Sequence, residues 1–537
     1  MRDLRQAKGP VFRKSNKKMK PLALKKILFS MLSGALLTAS FPPGRLEWVA
    51  WFALVPLLLS IKDEYRSNAF KLSMIAGMTH YLTLIYWIIV VLNTYGGLDY
   101  LTSVSALILL SLYLSVYLGL FSLLFIYLRK SRFQILPAAC VWVCLEFLRA
   151  KFITGFPWCL LGYSQFKHPT LIQITDVVGV YGLSFLIMAI NMIIYLLFLK
   201  YHVVFQNKIF RLEAVIVLFM VIGTVFYGRF RLQDPYTDGS DNLSIRTAVV
   251  QGNIDQSLKW DAAFQEQTLD RYHRLTRLTY GFQPDLVVWP ETSVPLFFQN
   301  KTELSEKVVE IGKECGASLI FGSPAYEKGP EMVKYYNRSY LLSPDGTVSG
   351  YYDKIHLVPF GEYVPLKRFL PFIHRLVQAA GDFTAGQEEM PLNHQAISAG
   401  VLICFEGIFP ELSRAQTKNG ATILVNITND AWYGMTSAPY QLLMMSAIRA
   451  VENKRWLIRS ANTGISAFID PYGRIIKHSS LFTEGILIQK IQPTSERTFY
   501  TRYGDIFIYM ILIICLMLFL YRLYYAHFLI NLDPPSC

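Results

Sequence analysis

Seven apolar stretches crowd into the first 230 residues of this 537-residue chain, and an eighth lies near 505–525. A helix needs roughly 20 consecutive apolar residues to cross the hydrocarbon core of a bilayer, because it rises only about 1.5 Å per residue. The stretches at 24–41, 47–61, 68–93, 103–128, 134–150, 179–199 and 212–229 approach that length, although 47–61 and 134–150 are short and bordered by prolines or charges. The pattern predicts a polytopic α-helical membrane bundle of about eight spans. It also accounts for a mean hydropathy of +0.32, which is high for a soluble chain.

Loop charges give the expected topology, because cytoplasmic loops carry the excess of Lys and Arg. Lys62, Arg66 and Lys71 fall in the second loop, Arg129, Lys130 and Arg132 in the fourth, and Lys200, Lys208 and Arg211 in the sixth. The third loop, around Asp99, has no basic residue. Even-numbered loops are therefore expected on the cytoplasmic side, and an odd count of seven spans delivers the following polar region to the opposite face. A basic N-terminus, residues 1–23, precedes the first span; a cleaved signal peptide is the alternative, and the spans that follow at once favour a retained helix. The net charge of +14 then records membrane topology, and nucleic acid is not an expected partner.

After about residue 243 the apolar runs become short and β-rich, as in Arg246–Val250, Asp285–Trp289, Ser318–Gly322, Gly400–Cys404 and Thr422–Ile427. Helical patterns separate several of them, which predicts an α/β domain over 243–495. The runs are continuous rather than alternating, as expected of strands buried on both faces. A membrane domain over 24–230 and a C-terminal transmembrane helix over 504–526 complete the expected organisation.

Three segments in this domain carry chemistry. Val-Val-Trp-Pro-Glu ends at Glu291, Tyr-Asp-Lys-Ile-His surrounds Lys354, and Leu-Ile-Cys-Phe-Glu surrounds Cys404. A thiol becomes a nucleophile when a base removes its proton or a cation stabilises the thiolate. Glu291, held behind Pro290 and next to an apolar segment, suits a general base. Lys354 sits in an apolar frame where a fixed charge acts strongly on a developing oxyanion. Alone, each has a bland reading: a solvated loop glutamate, a surface lysine, a core cysteine. Of the seven cysteines only Cys315 and Cys404 lie in the polar region, with no metal-type spacing, and neither a metal nor a nucleotide cofactor is expected.

Glu, Lys and Cys in this order, 63 and 50 residues apart, closely resemble the nitrilase (carbon–nitrogen hydrolase) superfamily. Tyr336–Tyr340 followed by Ser343–Gly346 resembles the strand and turn before the superfamily's lysine, and Asn426–Gly434 and Arg459–Gly464 resemble its later signatures. Combined with the apolar spans, the segments Gly155–Gln165, Gln251–Asp261 and Pro359–Pro365 are similar to the apolipoprotein N-acyltransferase family.

This resemblance implies a nitrilase-like α-β-β-α sandwich on a membrane bundle, in a bacterial inner membrane, with the catalytic domain facing the periplasm. It implies Glu291 as general base, Lys354 as stabiliser of the tetrahedral intermediate and Cys404 as the acyl carrier. Glu362 and Glu406 match supporting glutamates, and Trp260 and Trp432 match tryptophans near the entrance. Phe405 stands where the family has tyrosine, and Thr436–Leu442 lacks a histidine near Leu442; both bear on substrate handling. The implied partners are a phospholipid acyl donor and a diacylglyceryl-modified apolipoprotein acceptor, for a membrane-embedded monomer. The segment Val364–Ala380, with Phe369 and Phe372 among basic residues, is expected to act as a lid at the bilayer surface. The rival readings are a membrane-tethered amidase or nitrilase, and an inactive lipid- or peptide-binding membrane protein.

Overall fold

The computed structural model describes residues 22–129, 132–204, 206–233, 244–257, 259, 261–330, 332–363 and 383–532. Trp260, the basic segment 1–21 and the expected lid at 364–380 lie outside the described residues.

Apolar helices dominate up to residue 233, and a last one runs over Ile506–Leu532. Among the described residues, Tyr100–Leu128, Thr175–Leu199 and Lys208–Gln233 are each long and apolar enough to cross a membrane. Arg66–Leu84 and Ile88–Tyr95 make a fourth if the pair, bent by 57°, counts as one span. The helices in the other expected spans are shorter: Leu24–Ala39 has 16 residues and Ile135–Lys151 has 17. Length and composition thus support three or four crossings of the eight expected.

The polar region forms two six-stranded sheets. The first holds β1 (Ile245–Gln251), β2 (Leu286–Val288), β3 (Ser318–Lys328), β4 (Val333–Leu342) and β5 (Val348–Asp353). The second holds β6 (Leu392–His394), β7 (Ile397–Ile403), β8 (Ile423–Thr428), β9 (Leu457–Ala461), β10 (Ala467–Ile469) and β11 (Ile475–His478). The last strand, β12 (Gly485–Ile491), returns to the first sheet, giving the orders β12-β1-β2-β3-β4-β5 and β11-β10-β9-β8-β7-β6. Three central strands in each sheet are parallel, β1-β2-β3 and β7-β8-β9, with antiparallel strands outside them.

Side-chain alternation explains why these runs read as continuously apolar. In the first sheet Val249, Leu286, Val288 and Ile320 join the core shared with Val401, Ile403 and Val425 of the second. Their neighbours Ala248, Val250, Val287, Leu319 and Phe321 face Leu269 and Leu275 of the helix Ala262–Arg277 and Val308 and Ile311 of the helix Glu303–Cys315. Each strand therefore buries both faces, one on the facing sheet and one on helices. The result is the expected α-β-β-α layering.

The second sheet's outer helix, Ala438–Asn453, is buried along almost its whole length because its far side packs on the membrane helices. Gln441 is the socket of this junction. Its Oε1 accepts from the indoles of Trp158 (2.7 Å) and Trp87 (3.2 Å), and its Nε2 donates to the Leu84 carbonyl (3.1 Å) at the bend of the broken helix. Further along the helix, Glu452 pairs with Arg449 (2.8 Å) and accepts from the Val180 amide (3.1 Å). Removing one partner of a buried polar set costs about 1–3 kcal/mol per group left unpaired. Gln441→Leu strands two indole N–H groups and is expected to lower the thermal unfolding temperature in detergent micelles; an unchanged melt would show that the socket carries no stability.

Candidate active site

Glu291, Lys354 and Cys404 each follow a strand end: β2, β5 and β7 respectively. Parallel β2 and β7 bring two of these ends to the same edge of the sandwich, the usual location of sites in such sheets. Cys404 itself has φ of 52°, in the left-handed region, where the chain breaks from β7 into a 3₁₀ turn, Cys404–Ile408. Left-handed backbone is uncommon for a non-glycine residue and tends to mark functional positions.

The acidic and basic groups interlock. Lys354 is 1% exposed, and its Nζ donates to Glu362 Oε1 at 2.8 Å and lies 3.6 Å from Glu291 Oε1. Asn337 Nδ2 donates to both carboxylates, at 2.8 Å to Glu291 Oε1 and 3.0 Å to Glu362 Oε1. The Asn429 amide donates to Glu291 Oε2 (2.8 Å), and the Val358 amide to Glu362 Oε2 (2.9 Å). Burial works against the Lys354 charge, but Glu362 and then Glu291 outweigh it, so the ammonium is held above its ordinary pKa. Lys354 is therefore a fixed positive charge.

Cys404 is a free, buried thiol. Burial first, and then the Glu291 charge, push its pKa up to about 12, with Lys354 pulling the other way. A thiol so placed is essentially all protonated at neutral pH. Among the carboxylates, Glu291 weighs most on this thiol, ahead of Asp430.

Glu406, fully buried, holds the frame. Its Oε1 accepts from the amides of Ile355 (2.7 Å) and His356 (3.0 Å), its Oε2 from the Ile403 amide (2.7 Å), and the Tyr352 hydroxyl reaches both oxygens. Burial pushes its carboxyl up to about 7, while these amides and Lys354 pull it back. Phe405 stacks on Trp158 at 6.3 Å between ring centroids and packs on Phe409 (5.2 Å), joining the Cys404 turn to the apolar helical region. Trp432 is half-buried and makes an edge contact with Tyr95 of the bent helix, 5.7 Å between centroids. Of the expected site residues, Glu291, Lys354 and Glu362 thus meet directly. Cys404 and Glu406 adjoin them, and Phe405 and Trp432 face membrane-domain aromatics.

Several residues escaped the sequence reading. Asn337 shows only as a polar residue in a strand otherwise buried, and Asn429 as one of several polar residues in the segment after β8. Lys259 appears merely as a flank of Trp260, yet it is 2% exposed and its Nζ donates to the Glu291 carbonyl at 3.0 Å.

A carbon-nitrogen hydrolase family model matches residues 246–500, and an apolipoprotein N-acyltransferase N-terminal domain model matches residues 33–193. An apolipoprotein N-acyltransferase of Geobacter metallireducens is 42% identical over 485 residues, covering 89% of this chain and 92% of that protein. The chain belongs to the apolipoprotein N-acyltransferase family. Another apolipoprotein N-acyltransferase, from Pasteurella multocida, is 30% identical over 92% of this chain and 96% of its own. Among solved structures, a carbon-nitrogen hydrolase from Helicobacter pylori G27 is similar at 18% identity with a TM-score of 0.36, covering 46% of this chain and 89% of that one.

In this member of the apolipoprotein N-acyltransferase family, Glu406→Ala leaves three backbone amides without an acceptor, at about 1–3 kcal/mol each. The variant is expected to melt well below the parent and to trap little acyl-enzyme. Glu406→Gln, which keeps one acceptor oxygen, should fall between them. Equal behaviour of the two variants in melting and in trapping would contradict a role set by the amides.

Proposed function

We propose that this chain transfers a fatty acyl group from a membrane phospholipid to the α-amino group of the diacylglyceryl-modified N-terminal cysteine of an apolipoprotein, through a thioester on Cys404. The observation that carries this reading is the buried Glu291–Lys354–Glu362 cluster set against a thiol at a strained strand end, in a family whose relatives are named for N-acylation.

In the first half-reaction the Cys404 sulfur attacks the donor's ester carbonyl while Glu291 takes the thiol proton. The tetrahedral oxyanion forms beside the Lys354 ammonium, a donor already oriented and shielded from water. Collapse breaks the ester C–O bond, and Glu291 returns the proton to the departing lysophospholipid hydroxyl. In the second half-reaction the acceptor amine attacks the thioester carbonyl, Glu291 accepts a proton from nitrogen, and the Cys404 sulfur leaves and is reprotonated. The products are an amide and free enzyme. Covalent catalysis divides one difficult transfer into two steps that share a base and an oxyanion site. Phe405 and Trp432, on the membrane side of the site, line the acyl chain's approach in this scheme.

The wider arrangement belongs to the same proposal: a monomer with eight spans in the inner membrane, its domains at 24–230, 243–495 and 504–526, and its sandwich in the periplasm. The basic even-numbered loops support this orientation. Impermeant maleimide labelling of intact spheroplasts is expected to modify Lys313→Cys and to spare Arg129→Cys; the reverse pattern overturns the topology.

Four outcomes test the chemistry. Cys404→Ala is expected to trap no hydroxylamine-sensitive acyl group, whereas Cys315→Ala traps it normally; label persisting on Cys404→Ala refutes the assignment. Glu291→Gln should slow both half-reactions by about 10²–10⁴. Because the Cys404 thiol is raised towards 12, acylation of that variant should climb with pH, roughly tenfold per unit across pH 7–9, as free thiolate becomes the only nucleophile. The parent, using Glu291 as base, should change far less over the same range. If water rather than an amine resolves the thioester, a diacylglyceryl peptide will gain no acyl mass and free fatty acid will accumulate.

A further inference from the structure

Between β1 and the helix Ala262–Arg277, the chain is pinned against the second sheet by side-chain amides. Asn462 Oδ1 accepts from the Ile254 amide (2.8 Å), Asn462 Nδ2 donates to the Ile254 carbonyl (2.8 Å), and Asn429 Nδ2 donates to Gln256 Oε1 (2.5 Å). These contacts deliver Lys259 into the interior, where its Nζ meets the main-chain carbonyl of Glu291 at 3.0 Å. No carboxylate pairs with Lys259 among the described residues, and that one carbonyl is the only hydrogen-bond acceptor found there for its three donors.

An ammonium buried without a counter-ion is costly unless its charge is used. A neutral side chain of similar length would fill this space and need no partner beyond the carbonyl. The charges that bear on Lys259 belong to Glu291 and Cys404, and behind these two stand Lys354 and Asp430, which also act on the thiol. Lys354 does not make Lys259 redundant, because its ammonium is engaged by Glu362 and Glu291.

We propose that Lys259 is a second positive charge of the reaction centre, a positioning residue that grips the backbone of Glu291 and favours the thiolate of Cys404. Asn337 and Asn429 fix the carboxylate end of Glu291, and Lys259 fixes its main-chain end. The two lysines differ in kind. Glu362 and Glu291 hold Lys354 protonated, whereas burial brings Lys259 down to about 8, with Glu291 and Cys404 pulling it back up. Its help to the thiol is therefore present below that pH and fades above it.

The role rests on the reading of Cys404 as nucleophile, and its test is separable from that reading. Alkylation of Cys404 by iodoacetamide, followed by peptide mass in the full-length protein in detergent micelles, reports the thiol's titration directly. Because Lys259 loses its charge near pH 8, well before the thiol titrates, Lys259→Met is expected to be alkylated roughly tenfold more slowly than the parent at pH 7 and at the parent's rate by pH 10. Lys259→Arg, which keeps the charge, should be alkylated at the parent's rate at pH 7, and acyl-enzyme formation at that pH should follow the same order. Lys259→Gln provides a second neutral variant should Lys259→Met not fold. A ratio of variant to parent rate that is the same at pH 7 and at pH 10 overturns the proposal, because a packing defect slows alkylation alike at both. Acyl mass mapping to a residue other than Cys404 would instead defeat the functional reading, and the alkylation profile would still report on Lys259.

Discussion

A carboxylate taken out of water must find its donors in the protein, and Glu406 finds them on two separate stretches of chain. The Ile355 and His356 amides lie just beyond Lys354, and the Ile403 amide lies just before Cys404. One side chain therefore fixes where the Lys354 loop and the Cys404 turn meet, although they follow strands of different sheets. Lys354, Glu291 and Glu362 depend on that meeting. Moving the Lys354 loop away from Glu291 would take a buried ammonium from one of its counter-charges, which a low-dielectric interior penalises. The site is rigid because its polar groups have nowhere else to go.

Much of this was legible in the sequence, for reasons that are local. Apolar runs of membrane length and short β-rich runs differ in period and size, so the change of architecture near residue 243 is visible without coordinates. Glu291, Lys354 and Cys404 are legible because each sits in its own motif at a strand end, and Glu362 and Glu406 lie within the same motifs. The span count was less secure. Leu24–Ala39 and Ile135–Lys151 fall short of membrane length as helices, and the stretch 68–93 breaks near residue 85. Hydropathy averages over such bends and breaks.

What the sequence withheld is non-local. Asn337 matters because β4 lies beside β5, which carries the chain into Lys354, and no pattern within Tyr336–Tyr340 reveals this. Lys259 looks like one more lysine among many until the Asn429 and Asn462 contacts carry its loop inward. Gln441 is a polar residue in a helix that would otherwise be assigned to an ordinary core. Its partners, Trp87 and Trp158, are 354 and 283 residues away in the chain. For Phe405 the departure from the family was visible, but its stacking on Trp158 was not.

The Gln441 socket has a geometric consequence for any reaction at a bilayer. A domain tied through one buried helix to two indoles and a helix-bend carbonyl tilts away from the apolar helices only by unpairing them, at about 1–3 kcal/mol per group. The position of Cys404 relative to the apolar helices is then coupled to these same three contacts.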